Sequence, residues 1–428
     1  MKPVIPVEVT SEVGKLEGVI LHRPGREVEN MTPGNAEKAL YSDILNLNVA
    51  DKEYSDFYNV LSKITTTYEV KDLLTEVLVN EKVKHNLIHK ICQNENEPRI
   101  FNSLMALTPK ETSRQLFEGV ILKKNNLTNF LSQEKYILRP LHNFFFMRDA
   151  SISIGNEVLI GKMANQVRER ESIIMETIFD YHPDFKTRTY NPLNSRKVPA
   201  NKITIEGGDV LVANENTILI GMGGRTTSEG IDYLIEHYKN SGKDFNIIVQ
   251  ELPLAPESFI HLDMVFTFLD NNQCMVYEPV IIKNNRLETV SIAIRNGQVK
   301  ISYEDNLLSA LKKLGQDLEP LYCGGRTDVW TQEREQWHSG ANFFAVGQGK
   351  VLGYGRNTHT MDELAKHGYA IIPARDIVSQ KVNINDYNKY CIAIEGSELA
   401  RGGGGCRCMT MPFKRAPINA QPATLEAK

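Results

Sequence analysis

The chain is poor in cysteine and tryptophan, and it has no long apolar run. It contains six cysteines and two tryptophans among 428 residues. Six cysteines are too few for a disulfide scaffold in a chain of this length. No stretch approaches the roughly 20 apolar residues that a membrane-spanning helix requires. Neither sign of charge dominates, because 49 basic and 53 acidic side chains give a formal net charge of -4. We therefore expect neither nucleic-acid binding nor a basic membrane-binding patch.

The remaining composition is typical of a large globular protein. Hydrophobic residues make up 41% of the chain and charged residues 24%, which is enough for one large core or two ordinary ones. The first 14 residues contain no apolar segment typical of a secretion signal. The pattern predicts a cytoplasmic protein whose thiols are reduced.

Internal repetition is the most informative feature of the sequence. Residues 149–161, 209–221 and 342–354 each read as a short apolar strand, a polar or glycine turn and a second apolar strand. This order predicts three β-hairpins. Looser copies occur at 261–279 and, as a single strand, at 14–25.

Five such units with helices between them predict a cyclic, pseudo-symmetric arrangement in which each unit packs on its neighbours. Equivalent positions should then converge near one axis. The residues that begin the repeat strands are Asp149, Asp209, Asp263 and Asn342. We therefore expect several polar side chains from distant parts of the chain to meet in one cavity.

Residues 60–135 interrupt the spacing of the repeats. Apolar residues recur there at helical intervals, and Thr108-Pro109-Lys110-Glu111 has the form of a capping box. The segment predicts an inserted helical subdomain that covers one side of the core.

The clearest candidate for chemistry is Cys408, which follows four glycines at 402–405. Glycines allow unusual backbone angles and close approach of a ligand, and a thiol is a good nucleophile near neutral pH. The sequence is also compatible with a flexible tail that carries idle cysteines, although the apolar run after Cys408 favours a docked segment.

Further candidates stand at or near the repeat positions. His261 and Asp263 share a strand face at a spacing of two residues, and Glu206 precedes two glycines. Asp149 follows an aromatic run in which Phe146 could form a wall for a substrate. Each motif alone also fits a structural role: a core histidine, a β-bulge, a surface ion pair or packed aromatic rings. Together, a thiol, a histidine and several carboxylates indicate a site for a planar cation, which carboxylates can bind through paired hydrogen bonds.

The ordered motifs resemble those of the guanidine-modifying enzymes, and among them the arginine deiminases. The matching runs cover nearly the whole chain and include SEVGKLEGVILHRPG (11–25), NFFFMRD (143–149), EGGD (206–209), HLDMVFT (261–267), REQWHSGAN (334–342) and GSELARGGGGCRCMTMP (396–412). The resemblance implies a five-bladed α/β propeller of ββαβ-type repeats with an inserted helical bundle, in one catalytic domain over residues 1–428.

The resemblance also implies a role for individual residues. Cys408 matches the nucleophile and His261 the general acid and base, while Asp149, Asp263 and Glu206 match the carboxylates around the guanidinium. The substrate-binding positions that match are Asn143, Phe146, Arg168, Arg225, Leu40 and Arg401, of which Arg168, Arg225 and Asn143 would receive the substrate's α-carboxylate.

The implied function is hydrolysis of L-arginine to L-citrulline and ammonia through a covalent intermediate on Cys408, with water as the second substrate. We expect no metal or organic cofactor. We expect a homo-oligomer, either a dimer or a tetramer. The alternatives are another guanidino-group hydrolase or an amidinotransferase of the same superfamily, or a non-catalytic protein that senses arginine. Cys406, two residues before Cys408, either pairs with it under oxidation or is an unreactive neighbour.

Overall fold

A computed structural model describes residues 5–36, 40–41, 43–194, 202–283 and 285–418. The described strands are β1 (Ile5–Pro6), β2 (Leu16–Leu21), β3 (Thr66–Glu69), β4 (Val120–Ile121), β5 (Tyr136–Leu138), β6 (Ser151–Ile154), β7 (Glu157–Ile160), β8 (Phe185–Lys186), β9 (Arg188–Tyr190), β10 (Val210–Asn214), β11 (Thr217–Met222), β12 (Phe245–Glu251), β13 (Phe266–Asp270), β14 (Gln273–Val276), β15 (Thr289–Arg295), β16 (Gln298–Glu304), β17 (Glu319–Tyr322), β18 (Phe344–Gly347), β19 (Lys350–Tyr354), β20 (Ala370–Pro373), β21 (Tyr390–Ile394) and β22 (Met411–Arg415).

The helices lie between these strands in the chain. They are α1 (Arg26–Glu29), α2 (Pro33–Ala36), α3 (Leu47–Ile64), α4 (Val70–Val77), α5 (Glu81–Asn94), α6 (Phe101–Met105), α7 (Pro109–Glu118), α8 (Leu127–Leu131), α9 (Glu169–Tyr181), α10 (Ser228–Ser241), α11 (Glu278–Ile281), α12 (Leu307–Lys313), α13 (Val329–Trp337), α14 (Thr358–Lys366) and α15 (Ala374–Val378). Within the described ranges, every helix is too short or too polar to cross a lipid bilayer. The architecture is mixed α/β.

Five of the described sheets share one plan. Two antiparallel strands form a hairpin or an equivalent pair, and a third strand runs parallel to the second. The sets are β6-β7-β9, β10-β11-β12, β13-β14-β17, β18-β19-β21 and β22-β2-β3, and the second of these continues through β15 and β16 while the fourth continues through β20. The hairpins predicted at 149–161, 209–221, 261–279 and 342–354 are confirmed by these pairings.

The second strand of each set is largely buried, because strands lie on both of its edges and apolar groups cover its faces. Leu159, Leu219, Met275 and Leu352 each lie at the centre of such a strand and have no exposed surface. A parallel third strand requires a crossover connection, and α9, α10, α12, α14 and α3 lie in these connections. The side chains of Asn46 and Thr227 cap α3 and α10 at their first turns.

Residues 60–135 contain the helices α4–α8, and the predicted capping box at Thr108 and Glu111 is present at the start of α7. The segment is not entirely helical. The β-branched residues of β3 pair in parallel with β2, and β4 lies between α7 and α8, so two short strands accompany the helices. The assignment of 60–135 as an inserted subdomain stays a prediction.

The strand-head residues of the five sets are linked by a closed series of hydrogen bonds. Each link joins one segment to the next, and the last segment bonds back to the first. The donors and acceptors are Gly207 N to Asp149 O (3.1 Å), Leu262 N to Asp209 Oδ1 (2.9 Å), Asn342 Nδ2 to Asp263 O (3.0 Å), Cys408 N to Asn342 Oδ1 (3.3 Å) and Arg148 N to Cys408 O (3.0 Å). This series brings the candidate residues from five distant segments into one region.

The C-terminal strand β22 docks against the N-terminal strand β2, with Leu16 opposite Arg415 and Ile20 opposite Met411. Gly18 makes this docking possible. A Cβ atom at Gly18 would lie 2.2 Å from the Phe413 ring, closer than real side-chain contacts allow. Because Cys408 lies three residues before β22, the fit between Gly18 and Phe413 fixes the segment that carries the thiol.

We expect Gly18→Ala to lower the free energy of unfolding by about 1–3 kcal/mol, the usual cost of overpacking a filled core. Urea denaturation of the full chain measures the change. Gly224→Ala is the matched control, since a Cβ there meets nothing within 4 Å, and it should stay within about 0.5 kcal/mol of the parent. Equal stability of the two variants would contradict the packing argument.

Candidate active site

The strand-head residue Asp149 borders a cavity of about 470 Å³ together with Cys408. Its lining includes Cys408, His261 and Asp149, and all six predicted substrate-binding residues: Leu40, Asn143, Phe146, Arg168, Arg225 and Arg401. Glu206 and Asp263 have no exposed surface and do not line this cavity. They contact His261 and the Cys408 segment from behind.

Cys408 lies at the floor of the cavity with only 4% of its surface exposed. Its Sγ is 3.7 Å from Asp263 Oδ2 and 3.2 Å from Asn342 Nδ2. Burial, together with the charges of Asp263 and Asp149, holds the pKa of the Cys408 thiol well above its usual range. Without a bound ligand, the sulfur is therefore protonated at neutral pH.

His261 forms a buried ion pair with Glu206, in which Nε2 donates to Glu206 Oε2 at 2.9 Å. Its other ring nitrogen lies 3.7 Å from Asp149 Oδ1. Burial lowers the pKa of His261, but the charge of Asp149 and the hydrogen bond to Glu206 outweigh this cost and raise the pKa to about 9. His261 is therefore an imidazolium at neutral pH and can donate a proton.

Asp149 has two carboxylate oxygens in different environments. Oδ2 accepts a hydrogen bond from Arg168 Nη1 at 2.7 Å. Oδ1 is buried and has no hydrogen-bond partner, although His261 Nδ1 lies 3.7 Å from it. An unsatisfied carboxylate oxygen beside a thiol is suited to accept hydrogen bonds from a cationic ligand.

Arg168 also contacts Glu171, with Nη2 donating to Oε2 at 2.8 Å. Burial raises the pKa of Glu171 to about 7 although Arg168 opposes this shift. The second predicted arginine, Arg225, follows strand β11 and places Nη1 3.7 Å from Glu206 Oε1. Four arginines line the cavity, Arg168, Arg225, Arg356 and Arg401, and the first two lie close to buried carboxylates.

Three of the four glycines at 402–405 pack against the protein's own side chains, whereas Gly403 has open space around it and a left-handed backbone. A Cβ at Gly404 would lie 2.4 Å from the Phe146 ring, and a Cβ at Gly405 would lie 2.5 Å from Asn342 Oδ1. Phe146 in turn packs on Phe145, with ring centroids 4.1 Å apart. The sequence predicts that these glycines allow close approach of a ligand. In the structure, the groups that approach them are the Phe146 ring on the cavity wall and the Asn342 amide, which contacts the Cys408 thiol.

Residues 396–404, which we call the rim loop, form the edge of the cavity. The rim loop carries Arg401, whose Nε donates to Asp43 Oδ2 at 2.9 Å and whose Nη1 donates to Glu398 Oε2 at 3.0 Å. Leu40 also lines the cavity and has a left-handed backbone, with φ of 64°. A non-glycine residue adopts this conformation only when its surroundings impose it.

The sequence profile described as "Arginine deiminase" matches residues 37–415. The chain belongs to the arginine deiminase family.

Curated relatives agree with this membership. The arginine deiminase of Bacillus cereus is 32% identical over 432 residues, covering 96% of this chain and 99% of the relative. The arginine deiminase of Listeria innocua is 31% identical over 429 residues with the same coverage.

Solved structures with low sequence identity share the fold of guanidine-modifying enzymes. The N-terminal domain of ArgZ, described as a product-bound arginine dihydrolase from cyanobacteria, superposes with a TM-score of 0.52 at 11% identity and covers 93% of this chain and 97% of its own. SxtG, described as an amidinotransferase from Microseira wollei, gives a TM-score of 0.52 at 15% identity and covers 97% and 98%. These likenesses show the mixed α/β fold.

In this member of the arginine deiminase family, sequence reasoning predicted the wrong place for one site residue and missed others. Asp209 was expected in the cavity but lies behind it, where Oδ1 accepts from Leu262 N at 2.9 Å next to His261. Arg407 is buried and donates to Asp263 Oδ2 at 2.8 Å. Its position beside Cys408 was the available signal, but a charged residue in a loop is usually exposed.

Cys406 lies in an apolar cluster with no exposed surface and does not line the cavity. Burial raises the pKa of its thiol well above the usual range. Both Cys406 and Cys408 are free thiols. Because the thiolate is the reactive form, these features favour the unreactive-neighbour interpretation.

Asp149, Glu206 and His261 place ligand-type atoms within 4.8 Å of one another, so this group could hold a metal ion. The same atoms already form a charged cluster, in which the His261 Nε2 that would bind a metal donates to Glu206. A protonated imidazole is not a metal ligand. The donor set therefore fits proton transfer better than metal binding.

Glu53, a buried residue of α3, holds the base of the rim loop. Its carboxylate accepts hydrogen bonds from three successive backbone amides, Ser397 N at 2.8 Å, Glu398 N at 3.1 Å and Leu399 N at 2.9 Å. Sequence reasoning did not find this contact, because Glu53 and the loop are more than 340 residues apart.

We expect Glu53→Gln to loosen the rim loop, because charge-assisted hydrogen bonds contribute about 1.5–3 kcal/mol. Trypsin should then cleave after Arg401 about tenfold faster or more, as measured by mass spectrometry of the fragments. Glu335→Gln is the matched control, since the Glu335 carboxylate accepts from the backbone amides of His359 and Thr360 away from this loop. Equal cleavage after Arg401 in the parent and Glu53→Gln would show that Glu53 does not restrain the loop.

Proposed function

We propose that the protein hydrolyses L-arginine to L-citrulline and ammonia through a covalent Cys408 intermediate. The observation that carries this proposal is the free oxygen Oδ1 of Asp149, a residue that lines the cavity together with Cys408. Membership of the arginine deiminase family supports the same conclusion.

In this proposal the substrate guanidinium lies between Asp149 and Asp263, which flank the sulfur. Paired hydrogen bonds from the guanidinium to carboxylates fix its plane and place its central carbon near Cys408. The α-carboxylate faces Arg168, Arg225 and Asn143 at the wall. The other substrate contacts are the Leu40 carbonyl for the α-amino group, the Phe146 ring for the aliphatic chain, and Arg401 on the rim loop.

Binding of the cation favours loss of the thiol proton to solvent, because it offsets the carboxylate charges that hold the Cys408 pKa high. The thiolate attacks the central carbon, and the π electrons move to a guanidine nitrogen. His261 donates its proton to the departing nitrogen, which leaves as ammonia. The remaining species is a thiouronium bonded to Cys408.

Neutral His261 then takes a proton from water, and the resulting hydroxide adds to the thiouronium carbon. Collapse of this adduct breaks the C–S bond and releases citrulline and the Cys408 thiolate. The hydroxyl proton passes to solvent, where ammonia takes it up as ammonium. Proton transfer by His261 contributes on the order of 10²–10⁴-fold in rate, and Glu206 holds the ring in position for both steps.

An amidinotransferase or another guanidino hydrolase is the second candidate, because the fold neighbour SxtG is described as an amidinotransferase. The four arginines that line the cavity favour a substrate with a free carboxylate. Ammonia release from arginine without an acceptor amine separates hydrolysis from transfer.

We also propose that the five sheets with a shared plan form a five-bladed, pseudo-symmetric propeller in one catalytic domain over residues 1–428, with residues 60–135 as a helical insertion. The closed series of hydrogen bonds between strand heads supports this arrangement.

We further propose a cytoplasmic homo-oligomer. The hairpin region around α8 exposes four large apolar side chains, each at least 65% accessible: Ile121, Leu127, Phe130 and Leu131. An apolar cluster of this kind on a surface is typical of a protein–protein contact.

Cys408→Ser should abolish citrulline formation, because a serine hydroxyl is far less acidic than a thiol and the nearby His261 is an imidazolium, which cannot take up its proton. In the parent enzyme, rapid acid quench with arginine followed by mass spectrometry should reveal an adduct on the peptide that contains Cys408. Cys274→Ser serves as the control, since Cys274 is buried away from the cavity. Parent-like turnover by Cys408→Ser would overturn the covalent mechanism.

The histidine pKa gives a separate test. Because the imidazolium is the proton donor, activity should fall as the pH rises through about 9. Asp149→Asn removes a charge that raises the His261 pKa, so the ring should titrate at lower pH in histidine NMR, with the signal assigned from His261→Ala. Asp43→Asn, which alters a cavity carboxylate paired with Arg401, should leave the titration unchanged. A His261 pKa near 6.5 in the parent would contradict this assignment.

A further inference from the structure

Asn342 occupies a repeat position but has no role in the mechanism so far. It precedes β18 by two residues, as Asp149 precedes β6. Its side chain is buried, with 1% of its surface exposed. The other strand-head residues of this kind, Asp149, Asp209 and Asp263, carry carboxylates, whereas this one carries an amide.

The hydrogen bonds of Asn342 determine which way its amide points. Oδ1 accepts from Arg407 N at 2.9 Å and from Cys408 N at 3.3 Å. Backbone N–H groups only donate, so the atom facing them must be the oxygen. Nδ2 therefore faces the other way, where it donates to Asp263 O at 3.0 Å and lies 3.2 Å from Cys408 Sγ.

We propose that Asn342 is a catalytic residue that stabilises the Cys408 thiolate through an N–H···S hydrogen bond. The inference rests on the proposed role of Cys408 as nucleophile. A thiolate accepts a hydrogen bond far better than a thiol does, so the contact favours ionisation of the sulfur. No bond to Asn342 forms or breaks during the reaction.

The groups around the sulfur explain why such a donor matters. Asp263 and Asp149 oppose the thiolate, and Arg407 favours it. The remaining titratable groups that face this region are the His261 imidazolium across the cavity and the Tyr354 hydroxyl, which donates to Gly404 O at 2.9 Å. Two neutral donors contact the sulfur, the Asn342 side-chain amide and the backbone N–H of Gly405, and Asp263 is the charged neighbour. Of the two donors, Asn342 is the one that a side-chain substitution can remove.

The choice of amide over carboxylate follows from the same geometry. An aspartate at 342 could still accept from Arg407 N and Cys408 N, but it would place a negative charge about 3 Å from the sulfur. The amide keeps the two acceptor contacts and supplies a donor in place of that charge.

Asn342→Asp therefore separates the donor role from the structural role. The rate of Cys408 alkylation by iodoacetamide is measured against pH by peptide mass spectrometry. We expect its pH profile to shift to higher pH in this variant. A rise of one pKa unit lowers the rate near neutral pH about tenfold. The kcat for arginine should fall by a similar factor, with a smaller change in KM.

Asn342→Ala removes the donor without adding a charge and should shift the alkylation profile in the same direction by less. Asn246→Asp is the matched control, because Asn246 is buried and donates to Thr217 Oγ1 and a backbone carbonyl away from the cavity. It should leave the alkylation profile unchanged.

A shift in Asn342→Asp but none in Asn342→Ala would mean that charge repulsion alone acts, and the donor role would be wrong. A parent-like profile in both variants would also overturn it. Failure of the proposed function gives a different result. Alkylation reports ionisation of the Cys408 thiol without substrate, whereas parent-like activity of Cys408→Ser would show that Cys408 is not the nucleophile.

Discussion

Three carboxylates taken out of water impose the constraint on which the site depends. A buried charge without a partner costs several kcal/mol, so each carboxylate must be matched by a cation from another segment. The pairs are Asp149 with Arg168, Glu206 with His261, and Asp263 with Arg407. The consequences of these pairs differ. The pair with Glu206 keeps His261 protonated, while the pair with Asp263 holds Arg407, the residue next to Cys408, in place. Strand order, helix placement and the closed series of strand-head contacts all serve to bring these pairs together.

The sequence predicted the strands well because each repeat carries its own local signal: an Asp or Asn, alternating apolar residues and a turn. The same repetition indicated that Asp149, His261 and Cys408 would meet, and they do border one cavity. Contacts between distant segments were beyond this reasoning. Nothing near Glu53 marks it as an acceptor for the rim loop, and the burial of Arg407 follows only from the packed structure. The roles of the site residues stay predictions.

The packing of the glycine run at 402–405 helps to determine where the Cys408 thiol lies. Four adjacent glycines have a high entropy cost on folding, and that cost is offset here by close packing on Phe146 and Asn342. The same segment leads directly into Cys408 and then into β22, which is paired with β2 at the other end of the chain. Placement of the sulfur therefore depends on packing at both ends of the segment, and small side chains are required on one side of it.

The contact between Arg168 and Asp149 has a further consequence. Arg168 carries the same chemical group as the proposed substrate, and it already occupies one oxygen of the carboxylate that would bind that substrate. The unliganded site thus contains a tethered mimic of its own ligand. In the proposed mechanism, the substrate's α-carboxylate offers Arg168 a third anionic partner beside Asp149 and Glu171, whereas a guanidine without an α-carboxylate leaves those two ion pairs as they are. On that proposal, discrimination between free amino acids and bare guanidines rests on the ion pair that the α-carboxylate adds.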